Sequence, residues 1–180
     1  MLRRGLTLAL FAVFVLATSA VGQDGSGVGL RVVPGVGYAS ASFGDNSPRS
    51  SSGFAFALGG MALFPVSSST DITIEATWRP TKLDNPHFDE SYTSVYLMAG
   101  VEFGGSVYFR PALGVDLQHF SGAFAADDGA APAIALAVGT EKPIGAGPWH
   151  LAPEGSARFS VTNGLSSFVL LFSVGVGWRG

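Results

Sequence analysis

The sequence predicts an all-β fold, an eight-stranded antiparallel up-and-down transmembrane β-barrel. Three observations predict it. The closing stretch, Ser167 to Arg179, sets Phe168, Leu170, Phe172, Val174, Val176 and Trp178 on one face and ends with Ser173, Gly175, Gly177 and Arg179 on the other. Successive strand side chains point to opposite faces, so this stretch is a strand with one large apolar face and one small or polar face. Seven further stretches are strand-like, most of them with the same alternation, and the connections between all eight alternate in length.

The bulk properties narrow the class. A chain of 180 residues is one domain by default, and 13% charged residues with no basic patch speak against a nucleic-acid partner. There is no Cys, which excludes disulfides and thiolate metal sites. Mean hydropathy is +0.38, yet past the N-terminus no apolar run is long enough for a spanning helix. The N-terminus reads as a signal peptide over residues 1–22. Arg3 and Arg4 precede the apolar run Leu6 to Leu16, and Ala20-Val21-Gly22 fits a cleavage site. Residues 23–29 form a Gly-rich lead-in, and the barrel domain is expected over 30–180.

The eight segments run from Leu30 to Phe43, Phe54 to Phe64, Asp71 to Pro80, Tyr92 to Phe103, Val107 to His119, Ala133 to Glu141, Trp149 to Val161, and Ser167 to Arg179. Membrane strands need about 9–11 residues when tilted, which these lengths allow. Alternation is clearest in the middle. Val107, Phe109, Pro111, Leu113, Val115 and Leu117 oppose Tyr108, Arg110, Ala112, Gly114, Asp116 and Gln118. The second and sixth segments are apolar or small on both faces. Gly44 to Gly53, Thr81 to Ser91 and Phe120 to Pro132 are long connections; Pro65 to Thr70, Gly104-Gly105 and Lys142 to Pro148 are short ones. A last turn at Asn163-Gly164 breaks the long series. Long outer loops and short periplasmic turns are the pattern of outer-membrane barrels, and an even strand number leaves both termini in the periplasm.

Alternation alone does not orient the faces, since a soluble lipocalin-like barrel puts its apolar face inside. The polar face here is rich in Gly, Ala and Ser, and Lys82 and Lys142 are the only lysines. Small residues suit the tight interior of eight strands. Aromatics near strand ends form two expected girdles: Phe64, Phe103, Trp149 and Trp178 at one end, Tyr38, Phe54, Trp78 and Phe168 toward the other. The charges of the polar face balance, with Arg31, Arg79, Arg110 and Arg158 against Glu75, Glu102, Asp116 and Glu154. A narrow lumen holds such charges only as paired, hydrogen-bonded networks. The expectation is a structural plug, with an ion path or narrow pore as the alternative.

On these residues the chain resembles the eight-stranded outer-membrane β-barrel superfamily, the architecture of the outer membrane protein A transmembrane domain. The likeness covers Leu30 to Gly180. It rests on strand count, loop alternation, interior Arg/Glu pairs and the Phe172-to-Trp178 pattern, which resembles the C-terminal assembly signal of these barrels, with Arg179 and Gly180 following Trp178. The resemblance implies a protein of the outer membrane, in contact with its lipid and lipopolysaccharide, that meets the barrel assembly machinery through its last strand. It implies no cofactor, and an architecture does not fix a function.

Other chemistry is thin. Lipid A deacylases among such barrels carry His-x-Ser-Asn, and His119-Phe120-Ser121 is followed here by Gly122. A His/Ser pair serves nucleophilic catalysis when an acid orients the His, and Asp116, Asp127 and Asp128 are the candidates. The bland alternative is the start of a solvated loop. His87 and His150 are isolated, and no metal-ligand spacing links the histidines. Asp45, Asp84, Asp89, Glu90, Asp127 and Asp128 give the long connections an acidic rim for divalent cations or an extracellular partner. The expected role is therefore non-enzymatic: envelope integrity or surface interaction through the loops.

Overall fold

The computed structural model describes residues 27–43, 49–83, 90–121, 129–162 and 165–179. The expected signal peptide, His87, Asn163-Gly164 and the acidic loop residues Asp45, Asp84, Asp89, Asp127 and Asp128 lie outside the described residues, as do the side chains of Glu90 and Ser121.

The strands are β1 (Gly29–Phe43), β2 (Arg49–Ser67), β3 (Thr70–Leu83), β4 (Glu90–Gly104), β5 (Val107–Ser121), β6 (Gly129–Thr140), β7 (Lys142–Pro143), β8 (Trp149–Thr162) and β9 (Leu165–Arg179). β7 prolongs β6 against β8 in one register, since Gly139 faces Glu154 and Lys142 faces Leu151. Together they make one stave, and the barrel has eight. Each stave pairs antiparallel with its chain neighbours, and β9 closes on β1 from Gly29↔Arg179 to Phe43↔Leu165. Both described chain ends therefore lie at the end of the short turns.

The strands run further than the alternation suggests. β2 begins at Arg49, not Phe54, because Ser50 to Gly53 pair with Ala39 to Ser42. β4 and β6 likewise start earlier, at Glu90 and Gly129. Ser, Thr, Gly and Ala carry no apolar period, but their backbones join a ladder as well as any other residue.

The wall sorts its side chains by parity. Phe56, Leu58, Leu113, Ile134, Leu136 and Phe172 are exposed on the outside, with Leu113 at 67%. The inside holds Arg31, Arg79, Arg110 and Arg158, all at least 96% buried, beside Glu75, Glu102, Asp116 and Glu154. An apolar outer band over a polar interior is the arrangement of a transmembrane barrel and the reverse of a soluble one. The lumen is thus the core. Ala39, Ala55, Ala57, Val169 and Leu171 pack together on the β1, β2 and β9 side. Tyr96, Met98, Ala112 and Ala133 form a second cluster, and Val33, Met61 and Leu63 a third. Gly139 admits the Tyr108 ring, which a Cβ at that position would strike. Gly104 has φ +126° in the β4–β5 turn, a backbone that favours glycine.

A buried ion network as the candidate site

β5 supplies the hub. Arg110 alternates inward with Tyr108 and Ala112, and its guanidinium meets carboxylates from three other strands. It lies 2.7 Å from Glu154 on β8, 3.2 Å from Glu102 on β4 and 3.6 Å from Glu75 on β3. Its Nη1 also donates to Met61 Sδ at 3.1 Å. Delocalised charge and several donors let one Arg serve several acids.

From the hub the network runs toward both ends. On the turn side Arg31 donates twice to Glu102, at 3.1 and 3.2 Å, with its guanidinium 5.0 Å from the Tyr108 ring centroid. Tyr108 in turn donates to Glu154 at 3.0 Å. At the mouth Arg179 meets Glu141 at 2.8 Å and Asp71 at 2.9 Å, and His150 Nε2 lies 2.8 Å from Glu141. An open cleft at this mouth is lined by Ser69, Asp71, Glu102, Glu141, His150 and Arg179. On the loop side Arg158 meets Glu75 at 2.5 Å, and Thr77 donates to the same carboxylate. Arg158 and Arg79 lie over the Tyr96 ring, at 5.3 and 5.6 Å. Arg79 donates to Thr81 at 2.8 Å and Ser94 at 2.9 Å. Asp116 accepts from Gln118 and Ser160, both at 2.8 Å.

Of the eight charges read from the sequence, Arg31, Glu75, Glu102, Arg110, Glu154 and Arg158 meet in one continuous cluster. Arg79 and Asp116 sit in hydrogen-bonded settings nearer the loop end. The sequence reading missed Asp71, Glu141, His150, Arg179, Tyr96 and Tyr108. Parity carried the signal for most of them: Asp71 shares a face with Glu75, Tyr108 with Arg110, and Arg179 with Gly175 and Gly177. What parity does not give is the reach of Arg179 across the mouth to β3 and to the end of β6.

The aromatic positions all face outward. Tyr38, Phe54, Phe103, Trp149 and Phe168 are exposed, while Phe64, Trp78 and Trp178 are half-buried among cross-strand neighbours. Tyr38 stands opposite Phe54, Phe159 opposite Phe168, and Trp149 opposite Trp178. Phe54 also packs edge-on against Phe56 at 5.0 Å. His119 is partly exposed near the loop end of β5, on the outward parity, whereas Asp116 is fully buried in the lumen. The two strand positions therefore face opposite ways. Among the described residues, no group of three or more His, Cys, Asp or Glu could hold a metal ion.

Comparison with known proteins defines the fold and no more. No family model matches the chain, and no curated protein does. Among solved structures, it is similar to Neisserial surface protein A, at TM-score 0.53 and 15% identity over 84% of this chain and 97% of that one. It is also similar to Ail, the attachment invasion locus protein of Yersinia pestis, solved in complex with the heparin analogue sucrose octasulfate. That match has TM-score 0.52 and 14% identity over 83% of this chain and 99% of that one. The chain has the eight-stranded outer-membrane barrel fold over nearly the full length of both.

Proposed function

We propose that this protein is a small, non-enzymatic outer-membrane barrel whose lumen is a structural plug and whose outer loops act in envelope integrity or surface interaction. The Arg110 hub carries this reading. One guanidinium joined to acids on β3, β4 and β8 fills the section of a barrel only wide enough for side chains. Each of the hub's charges is paired with another, which suits a structural role for this layer. The outward aromatics at both ends of the wall serve as the two membrane belts, with the short turns in the periplasm. On this reading the loops are the part left to meet partners. Their Asp and Glu content suits divalent cations bridging lipopolysaccharide, or a cationic partner. The names of the two similar proteins, a surface protein and an attachment protein, accord with a surface role.

The test separates wall from loops. A variant with residues 84–89 and 122–128 replaced by short Asn-Gly turns should still fractionate with the outer membrane. It should keep the gel-mobility shift between unheated and heated samples that marks a folded barrel. It should lose the envelope or binding phenotype of the intact protein. A phenotype kept by the loop-deleted barrel and lost on changing the lumen charges would overturn the proposal. A protein found soluble, with no mobility shift, would overturn the membrane placement.

A further inference from the structure

Backbone ladders around the barrel are of two kinds, and the two kinds alternate. Four seams pair without a break: β1/β2, β3/β4, β5/β6 and β8/β9. Each of the other four skips two successive pairs. In β1/β9 pairing jumps from Val32↔Val176 to Gly35↔Ser173, in β2/β3 from Ala55↔Thr81 to Leu58↔Trp78, and in β4/β5 from Gly100↔Ala112 to Phe103↔Phe109. Between the β6–β7 stave and β8 it jumps from Gly139↔Glu154 to Lys142↔Leu151.

A proline sits in every gap: Pro34, Pro80, Pro111 and Pro153. Proline has no N–H to give to a ladder, so it is tolerated only where one bond can be lost. Each of these prolines keeps its pairing with the other neighbouring strand, as Pro111 does with Leu136 and Pro153 with Val174. The loss therefore falls on one side of the strand, and always on the same class of seam. The unbroken seams join strands that follow each other across the loop end. The wall is thus four continuous hairpins: β1–β2, β3–β4, β5–β6 with its β7 extension, and β8–β9.

The ion pairs follow the same division. Arg31 on the first hairpin reaches Glu102 on the second. Arg110 on the third reaches Glu75 and Glu102 on the second and Glu154 on the fourth. Arg158 and Arg179 on the fourth reach Glu75, Asp71 and Glu102 on the second, and Arg179 reaches Glu141 on the third. Every ion pair described joins two different hairpins. Glu102 and Arg110 are moreover the inward residues of the β4/β5 gap itself. Glu141 stands in the gap of β8, and Arg79 in the gap of β2/β3.

We propose that the wall is built of four hairpin units, that the lumenal ion network fastens them across the proline-notched seams, and that the wall parts at these notches when the network is loosened. The plug is then also a clasp. Its carboxylates and guanidiniums replace, from inside, the backbone bonds that the prolines withhold.

Residue-resolved amide exchange on the refolded protein in lipid nanodiscs tests this. Arg110→Met removes the links that β5 makes to the second and fourth hairpins and leaves the Glu141 contacts at the mouth in place. It should speed exchange beside the β4/β5 and β6/β8 gaps at least about tenfold while the interiors of β3/β4 and β5/β6 stay unchanged. Pro111→Ala restores a donor toward β4 without touching the charges. It should slow exchange at the β4/β5 gap alone and, combined with Arg110→Met, reduce the acceleration there. Acceleration spread evenly over all eight seams would overturn the proposal, as would none at the gaps. Should Arg110→Met fail to refold, Pro111→Ala still decides, because unchanged exchange at its gap contradicts the notch.

Discussion

At the scale of single residues, the cost of burying charge governs the interior. Arg110 is 3% exposed and touches three carboxylates, so it cannot be removed in isolation. Arg110→Met keeps much of the volume but leaves Glu154 with only the Tyr108 hydroxyl as its direct partner. Breaking a buried pair from one side costs about 3–5 kcal/mol, and this substitution should cost that much in denaturant unfolding of the refolded barrel. Arg110 keeps two of its three acids when Glu102 or Glu75 is changed, so single changes at these acids should cost less than the change at the hub. A cost at Glu102 or Glu75 as large as that at Arg110 would contradict the ranking. Such a hierarchy was not readable from the chain. Parity placed Arg110 inside, but which acids converge on it depends on strand register and tilt, which alternation leaves open.

At the scale of the strand, parity carries most of the information. β5 shows why it was legible: Phe109, Leu113 and Val115 face out while Arg110, Ala112 and Asp116 face in. Both periods, apolar and polar, run along one strand. β2 and β6 were less legible because their inward residues are Ala, Gly, Met and Leu, as apolar as the outward ones. Only the register reveals their inner face, through Met61 under Arg110 and Gly139 under Tyr108. The strand ends were missed for a related reason, since Ser50 to Gly53 form a ladder without an apolar face. The parity of β5 gives a sharp contrast. Leu113→Arg puts a charge on the lipid side near mid-strand and should cost about 2–4 kcal/mol in a bilayer. Ala112→Ser, one residue away and inside, meets a polar lumen and should cost well under half of that. Equal costs by denaturant titration in lipid vesicles would mean that the faces are reversed.

At the scale of the whole molecule, the question is whether eight staves enclose a passage. The Arg110 layer bears on it sterically and electrically. Glu75, Glu102 and Glu154 close on one guanidinium from three strands, the Tyr108 ring fills the space that Gly139 leaves, and Met61 completes the layer. An ion would have to break these pairs in a region of low dielectric, where their attraction is strongest. The intact barrel in planar bilayers should therefore show no ohmic step. Removing one partner alone would confuse opening with unfolding, because it strands a buried charge. Replacing both members of the hub's shortest pair, Arg110→Ala with Glu154→Ala, removes the obstruction without that penalty for the pair itself. Arg31 and Arg158 still hold Glu102 and Glu75. The double variant should keep its heat-modifiable mobility and show small conductance steps that the parent lacks. Steps of equal size in both proteins would mean that the lumen already conducts past Arg110, and that the network is a filter instead of a plug.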